Sequence, residues 1–157
     1  MTKSELEIPQ TIRTLLESQK LAALSTQRNG QPYTSLMAFA FTADLKEFIV
    51  ATGKATRKHQ NILQERRVSL LVDNRSNRAD DFHSAMALTV LGKVCAVEDG
   101  ERSTYRQLYL SRHPYLEDFL GAPSTAFFKI LVCHYLLVSR FQKVMEYSVR
   151  DEYALFT

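Results

Sequence analysis

The chain has 157 residues, of which 45% are hydrophobic and 24% charged, with 5 glycines and 4 prolines. This composition is typical of a soluble globular protein and excludes collagen-like, low-complexity and wholly disordered chains, and the length predicts one domain over residues 1–157. The net charge of +3, from 20 Lys+Arg against 17 Asp+Glu, is small and scattered, so we expect no nucleic-acid partner.

The cysteines and the N-terminal residues indicate the cellular compartment of the protein. Cys95 and Cys133 lie far apart and belong to no CxxC motif, which favours reduced thiols over a disulfide or a metal pair. The N-terminal segment lacks the apolar stretch of a signal peptide, and no segment approaches the ~20 apolar residues that a transmembrane helix needs. We therefore expect a cytoplasmic protein with no membrane association.

The first half of the chain predicts one helix followed by three strands. Apolar residues at helical spacing indicate a helix over about residues 8–18, with Pro9 in its first turn. Three apolar segments follow, at residues 21–25, 33–41 and 48–52. The Asn-Gly pair at residue 29 is a strong hairpin signal, and the short connections predict an antiparallel meander.

The second half predicts three more strand regions and two helical regions. In chain order we expect a helix at 56–66, a strand at 68–72, a polar loop at 73–83, a strand at 85–97, a helix at 98–111 with Asp99 as N-cap, and one or two strands within 126–149, interrupted near 140–143. The open edges of a six-stranded antiparallel sheet are costly, and closure removes them. The expected fold is therefore mainly β: a six-stranded antiparallel β-barrel over about residues 19–149, with peripheral helices.

The segment from Thr52 to Lys58 is the strongest candidate for a binding site. Its sequence, TGKATRK, predicts the end of a strand that turns into the start of a helix. Unpaired backbone N–H groups and the positive end of the helix dipole attract anions there, and threonine, arginine and lysine side chains add donors, so a phosphate would fit. The alternative is ordinary capping of the helix by Thr56 beside solvated cations.

Two further sets of residues have a functional and a structural interpretation. The strand around Ser35 could form a wall for a flat aromatic ligand, or it could be a plain core strand. The histidines show no HxxxH or HExxH spacing, so zinc is not expected; they are His59, His83, His113 and His134.

Taken in order, several segments resemble the FMN-binding split-barrel family related to pyridoxamine 5'-phosphate oxidase. They are residues 21–26, 29–33, 48–52, 56–58 and 67–72. Residues 88–94 and 109–114 are similar to the branch of that family that includes haem-utilisation proteins. The resemblance covers roughly residues 21–149.

The resemblance implies a split barrel, a homodimer and FMN bound between the subunits. It places the flavin phosphate at the end of the third strand and the start of the next helix, and the isoalloxazine ring along the second strand. The cofactor-binding residues that it implies are Ser35, Leu36, Met37, Thr52, Thr56, Arg57 and Lys58.

The chain departs from the family pattern at several positions, and residues 141–144 hold no clear counterpart of the arginine and histidine that bind pyridoxal in the true oxidases. Ser35 and Ala40 stand where the oxidases carry an arginine and a lysine, and Ala87 stands where a polar residue is usual. The resulting expectation is an FMN-dependent oxidoreductase that acts on a small-molecule substrate other than pyridoxamine phosphate. The alternatives are a deazaflavin in place of FMN, a haem-binding protein with a histidine ligand suggested by His113, and a dimeric module without a ligand.

Overall fold

The computed structural model describes residues 3–140, 142–151 and 155. Its helices are α1 (Lys3–Ser18), α2 (Arg57–Gln64), α3 (Asp81–Ser84), α4 (Asp99–Arg112), a short 3-10 helix (Pro114–Leu116) and α5 (Glu117–Gly121). Its strands are β1 (Leu21–Arg28), β2 (Gln31–Ala38), β3 (Ala40–Phe41), β4 (Glu47–Gly53), β5 (Arg67–Asp73), β6 (Ala87–Ala96), β7 (Thr125–Ser139) and β8 (Lys143–Ser148).

The strands form one antiparallel sheet that curls into a barrel. Its order is β2-β1-β5-β6-β7-β4-β3, and β8 pairs with β7. The outermost strands, β2 and β3, are consecutive in the chain and are separated only by Phe39. The two edges of the sheet must therefore meet at this residue, which closes one corner of the barrel and removes a solvent-exposed edge there. The prediction of a mainly β, antiparallel split barrel with peripheral helices is confirmed.

The predicted number of six strands is wrong, since the described residues contain eight strand segments. The segment at 33–41 divides at Phe39, where the chain passes from one edge of the sheet to the other. The last region divides into β7 and β8 at a tight turn, in which Arg140 and Gln142 have φ angles of 45° and 73°. Phe141, within the predicted interruption, lies outside the described residues.

Several predicted boundaries also change. Helix α1 begins at Lys3 rather than at about residue 8, and it accommodates Pro9 in its interior. The predicted loop at 73–83 includes all but the last residue of α3. The N-cap of α4 is Glu98 and not Asp99, because the side chains of Glu98 and Glu101 form a reciprocal capping box.

Helices α1 and α2 cover opposite ends of the barrel. Alternate residues of β1 face inward, and its first residues follow α1 while its last residues lie near α2. Side chains from both helices join the same buried cluster as the inward-facing strand residues; these are Ile12, Leu15 and Leu16 from α1 and Ile62 from α2. A second buried cluster lies between β3, β4, β7 and the α4–α5 region, and it includes Tyr109 and Phe127. None of the described helices has both the length and the apolarity needed to span a bilayer.

Candidate functional site

The turn between β4 and α2 has the geometry of a capped helix start. Thr56 is the N-cap, with extended backbone angles, and its hydroxyl oxygen accepts a hydrogen bond from the backbone N–H of His59 at 3.3 Å. The first-turn N–H groups of Arg57 and Lys58 have no partner within the helix, as at every helix start. The first turn of α2 contains no acidic residue. The local charge at this helix end is therefore positive.

The two threonines that the sequence singled out bond to each other. The Thr56 hydroxyl donates to the carbonyl oxygen of Gly53 at 2.8 Å. Its oxygen lies 3.0 Å from the hydroxyl oxygen of Thr52, so Thr52 is the donor in that contact. Because each hydroxyl has only one proton, both protons are bonded within the protein. In this arrangement the threonines shape the turn, and the free donors for an anion are backbone N–H groups and cationic side chains.

Lys58 extends from α2 to the edge strand β2. Its Nζ donates to the carbonyl oxygen of Leu36 at 3.5 Å. Burial lowers the pKa of this amine, since the charged form is partly removed from water. Within the described part of the chain, neither Lys58 nor Arg57 forms an ion pair with a carboxylate. An anion bound here would therefore meet cations that no carboxylate neutralises.

Arg57 points toward the β1–β2 hairpin. Its guanidinium carbon lies 5.6 Å from the centre of the Tyr33 ring, which is within cation–π range. Arg57 and Lys58 are adjacent in sequence, yet they reach different parts of β2. The two cations therefore contact that strand at different residues, Tyr33 and Leu36, rather than at one point.

The three predicted residues on β2 do not share a face. Ser35 pairs with Leu24 and Met37 with Ala22, and both of these partners face the barrel interior. Leu36 faces outward and is 66% exposed, whereas Met37 is buried. A ring lying along β2 would therefore contact Leu36 and the backbone edge, and Met37 would only support the strand from inside.

Ser35 carries an unsatisfied polar atom. Its Oγ is buried and has no hydrogen-bond partner among the described residues. A buried hydroxyl without a partner costs free energy, which a bound acceptor or donor would recover. This orphaned atom lies on the same strand whose neighbouring carbonyl receives Lys58.

Sequence comparison identifies the family. The family model described as pyridoxamine 5'-phosphate oxidase matches residues 8–134, which is most of the chain. The chain belongs to the pyridoxamine 5'-phosphate oxidase family. A Schizosaccharomyces pombe protein named as a pyridoxamine 5'-phosphate oxidase homolog is 34% identical, over 56% of this chain and 51% of its own. The chain thus spans about half the length of that curated relative.

Solved structures share the fold of this family member at low sequence identity. A haem-binding protein from Mycobacterium smegmatis superimposes with a TM-score of 0.79 at 14% identity, covering 89% of this chain and 57% of the other. An FAD-binding protein from Mesorhizobium loti gives a TM-score of 0.66 at 20% identity, covering 82% and 90%. At these identities the likeness shows the fold alone.

The structure shows where Ser35, Ala40 and Ala87, which depart from the family pattern, lie in this family member. Ala40 is fully buried in the second cluster, and Ser35 faces the barrel interior. Ala87 is the first residue of β6 and is half-buried. None of the three adds a charge to the site, so Arg57 and Lys58 remain its predicted cations.

The histidine that suggested haem binding is not accessible. His113 is fully buried, and its Nε2 donates to the carbonyl oxygen of Phe39 at 2.7 Å. The described residues contain no group of three or more His, Cys, Asp or Glu side chains that could hold a metal ion. No feature around His113 therefore favours its binding to a haem iron.

Sequence analysis missed two residues near the site, Tyr33 and Asn61. Tyr33 lies against Arg57, and Asn61 on α2 is buried and donates from Nδ2 to the Thr26 hydroxyl oxygen at 3.0 Å. Asn61 carries a weak signal, since a polar residue beside Ile62 on the buried face of a short helix requires a partner. Tyr33 carries none, because its role depends on the contact between the hairpin and α2.

Proposed function

We propose that this protein binds FMN and uses it in oxidation–reduction of a small-molecule substrate, in a cleft between two copies of the chain. The observation that carries this proposal is the pair of cations, Arg57 and Lys58, at the start of a helix where no carboxylate of the described residues neutralises them. Family membership and the likeness to an FAD-binding protein support a flavin as the anionic ligand.

The residues present fit a flavin phosphate at the turn. The first-turn N–H groups of α2 and the ammonium of Lys58 supply charge-assisted donors, while Thr56 holds the turn in shape. A phosphate also stabilises the charged form of Lys58, which burial disfavours.

The residues of β2 fit a planar ring beside that phosphate. The strand is an edge strand, so one side of its backbone is not paired in the sheet, and exposed Leu36 offers an apolar contact. When bound, FMN supplies electron and hydride transfer chemistry. The protein's part is to bind the phosphate, orient the ring along β2 and exclude water from its covered face.

Flavin titration tests this proposal. We expect FMN fluorescence to be quenched saturably by the wild-type protein, and the dissociation constant to rise about 10- to 100-fold in Lys58→Ala and in Arg57→Ala, since each removes a charge-assisted interaction worth about 1.5–3 kcal/mol. Arg66→Ala is the matched control, because Arg66 is exposed beyond the C-terminal end of α2 and should leave the constant within about twofold.

The comparison of ligands decides the identity of the cofactor. No saturable FMN binding to the wild type, or the same affinity in Lys58→Ala and Arg66→Ala, would contradict the proposal. Parallel titrations with a deazaflavin and with haem separate the alternatives, since tighter binding of either one would replace FMN as the assigned cofactor.

A further inference from the structure

A second cavity lies beside the proposed flavin site, between the β1–β2 hairpin and α2. It has a volume of about 680 Å³, and its lining residues are Arg28, Asn29, Gln31, Pro32, Tyr33, Arg57 and Asn61. Except for Arg57, none of these residues is among those assigned to the flavin. The volume lies in the range of small-molecule sites and is much larger than a single phosphate group requires.

The charge of this cavity favours an anion. Arg28 and Arg57 both line it, Arg28 from the end of β1 and Arg57 from the start of α2. Neither arginine pairs with a carboxylate among the described residues, and the lining contains no acidic side chain. Arginine binds phosphate well because its planar donors match the phosphate oxygens.

Asn61 contributes an independent observation. Its side chain is 1% exposed and lines the cavity, and its Nδ2 is bonded to Thr26. Its Oδ1 is buried without a hydrogen-bond partner in the described protein. An unsatisfied buried acceptor costs free energy, which a ligand N–H donor would recover.

The remaining walls suit a planar ring. Pro32 and Tyr33 present apolar faces to the cavity, and the guanidinium of Arg57 lies over the Tyr33 ring. Nucleobases stack on aromatic and guanidinium faces of this kind. Asn29 and Gln31 add polar side chains to the lining of the cavity.

We propose that this cavity binds a nucleoside monophosphate moiety whose base carries an exocyclic amine. The phosphate lies between Arg28 and Arg57, the base stacks against Tyr33, and the amine donates to Oδ1 of Asn61. Such a moiety occurs as a free nucleotide and as the adenosine half of a flavin or pyridine dinucleotide. Arg28, Tyr33 and Asn61 are separate from the flavin residues, whereas Arg57 is shared with the proposed flavin-phosphate site, so Arg28 is the residue that tests this cavity alone.

Calorimetric titration with adenosine monophosphate tests the phosphate contact. We expect saturable binding to the wild-type protein, at least tenfold weaker binding to Arg28→Gln, and affinity within about twofold of wild type for Arg66→Gln, which removes the same charge outside the cavity. Absence of saturable binding at millimolar nucleotide, or equal affinities of the two variants, would overturn the proposal. Inorganic phosphate that binds as tightly as the nucleotide would overturn the assignment of a base.

A ligand change tests Asn61 without altering the protein. Purine riboside monophosphate lacks the exocyclic amine, so we expect it to bind at least fivefold more weakly than adenosine monophosphate; equal affinity overturns the role of Oδ1. Titrations with FAD and NADH then identify the molecule that supplies the adenosine moiety. If it is FAD, then FAD should bind more tightly than FMN; if it is NADH, then NADH should bind more tightly than nicotinamide mononucleotide. Arg28→Gln should abolish the difference in affinity. FMN affinity itself should not change in Arg28→Gln, so failure of the flavin proposal and failure of this one give different results.

Discussion

At the scale of single residues, Arg112 and His113 anchor the end of α4 to the closed corner of the barrel. The Arg112 guanidinium donates to the carbonyl oxygen of Phe39 at 3.1 Å and lies 4.9 Å from the centre of the Phe39 ring. His113 donates to the same carbonyl through Nε2, so that atom carries a proton. Its Nδ1 is buried and has no partner among the described residues. A second proton on the ring would therefore be buried without an acceptor.

This arrangement predicts a loss of stability in mild acid. Burial lowers the pKa of His113 below 6.5, and the charge of Arg112 acts in the same direction against the bond to Phe39. The unfolded state therefore binds the proton more readily, so the free energy of unfolding is fully present above pH 6.5 and declines as the pH falls below it.

Urea denaturation at several pH values tests His113. We expect a decline of at most about 1.4 kcal/mol per pH unit between pH 7 and pH 5 from this one proton. His113→Gln keeps a side-chain N–H donor but does not titrate, so its stability should be lower at pH 7 and should vary less with pH. His83→Gln, at an exposed histidine on α3, should retain the wild-type slope. A slope in His113→Gln equal to that of wild type contradicts this role.

At the scale of elements, the pairing of β6 with β7 depends on a glycine beside a β-bulge. The register shifts between Leu91 and Gly92, so that Cys133 is the extra residue on β7. A Cβ placed on Gly92 would lie 2.7 Å from the backbone oxygen of Leu131 and 2.7 Å from Cγ2 of Ile130. A backbone oxygen within a sheet cannot move away as a flexible side chain can, so only glycine fits at this position.

The substitution Gly92→Ala should destabilise the protein by about 1–3 kcal/mol, as expected for overpacking in a core. Gly100→Ala is the matched control, because no atom lies within 4 Å of the added methyl group and alanine is the better helix former in α4. The control should leave the free energy of unfolding unchanged or raise it by up to about 1 kcal/mol. If the urea midpoints of both variants were lower than that of the wild-type protein, or both were higher, the close contact at Gly92 would not explain the effect of the substitution.

At the scale of the whole molecule, the outer face of the sheet presents an apolar row. Leu36 on β2 pairs with Ala23 on β1, which pairs with Leu71 on β5. Leu36 is 66% exposed and Leu71 is 39% exposed, although both are large apolar side chains. Contiguous exposed apolar surface is typical of interaction sites, and a twofold contact buries the same row on both copies. This row supports the proposed homodimer and lies beside the β2 edge of the proposed flavin site.

Light scattering after size exclusion tests the dimer. The wild-type protein should have twice the chain mass of 18.0 kDa at micromolar concentration. Leu71→Glu should shift it toward the single-chain mass by raising the dissociation constant at least tenfold, because a buried unpaired charge is costly. Leu63→Glu changes a leucine that is 66% exposed on α2, outside the row, and should remain dimeric. A wild-type mass of 18.0 kDa would disprove the dimer.

In the candidate site, the features that depend only on neighbouring residues could be predicted from the sequence. The strand end at Gly53, the N-cap at Thr56 and the following cations were predictable, because capping and helix polarity depend on neighbouring residues. The bond that commits the Thr52 hydroxyl to Thr56 was not predictable, since hydroxyl partners depend on side-chain rotamers. Nor was the orientation of Arg57 toward Tyr33, which arises only where the hairpin packs against α2.

The amino-acid sequence by itself determined the order of the main helices and strands, the hairpin at residue 29, the antiparallel character of the sheet and the place of the basic turn. Each of these depends on periodicity or on turn chemistry within a few residues. Only the tertiary structure decided that β2 and β3 close the barrel at Phe39, that Ser35 faces inward while Leu36 faces outward, and that Asn61 retains an unsatisfied oxygen. These features depend on contacts between segments distant in sequence, because a short stretch of sequence does not specify which strands become neighbours.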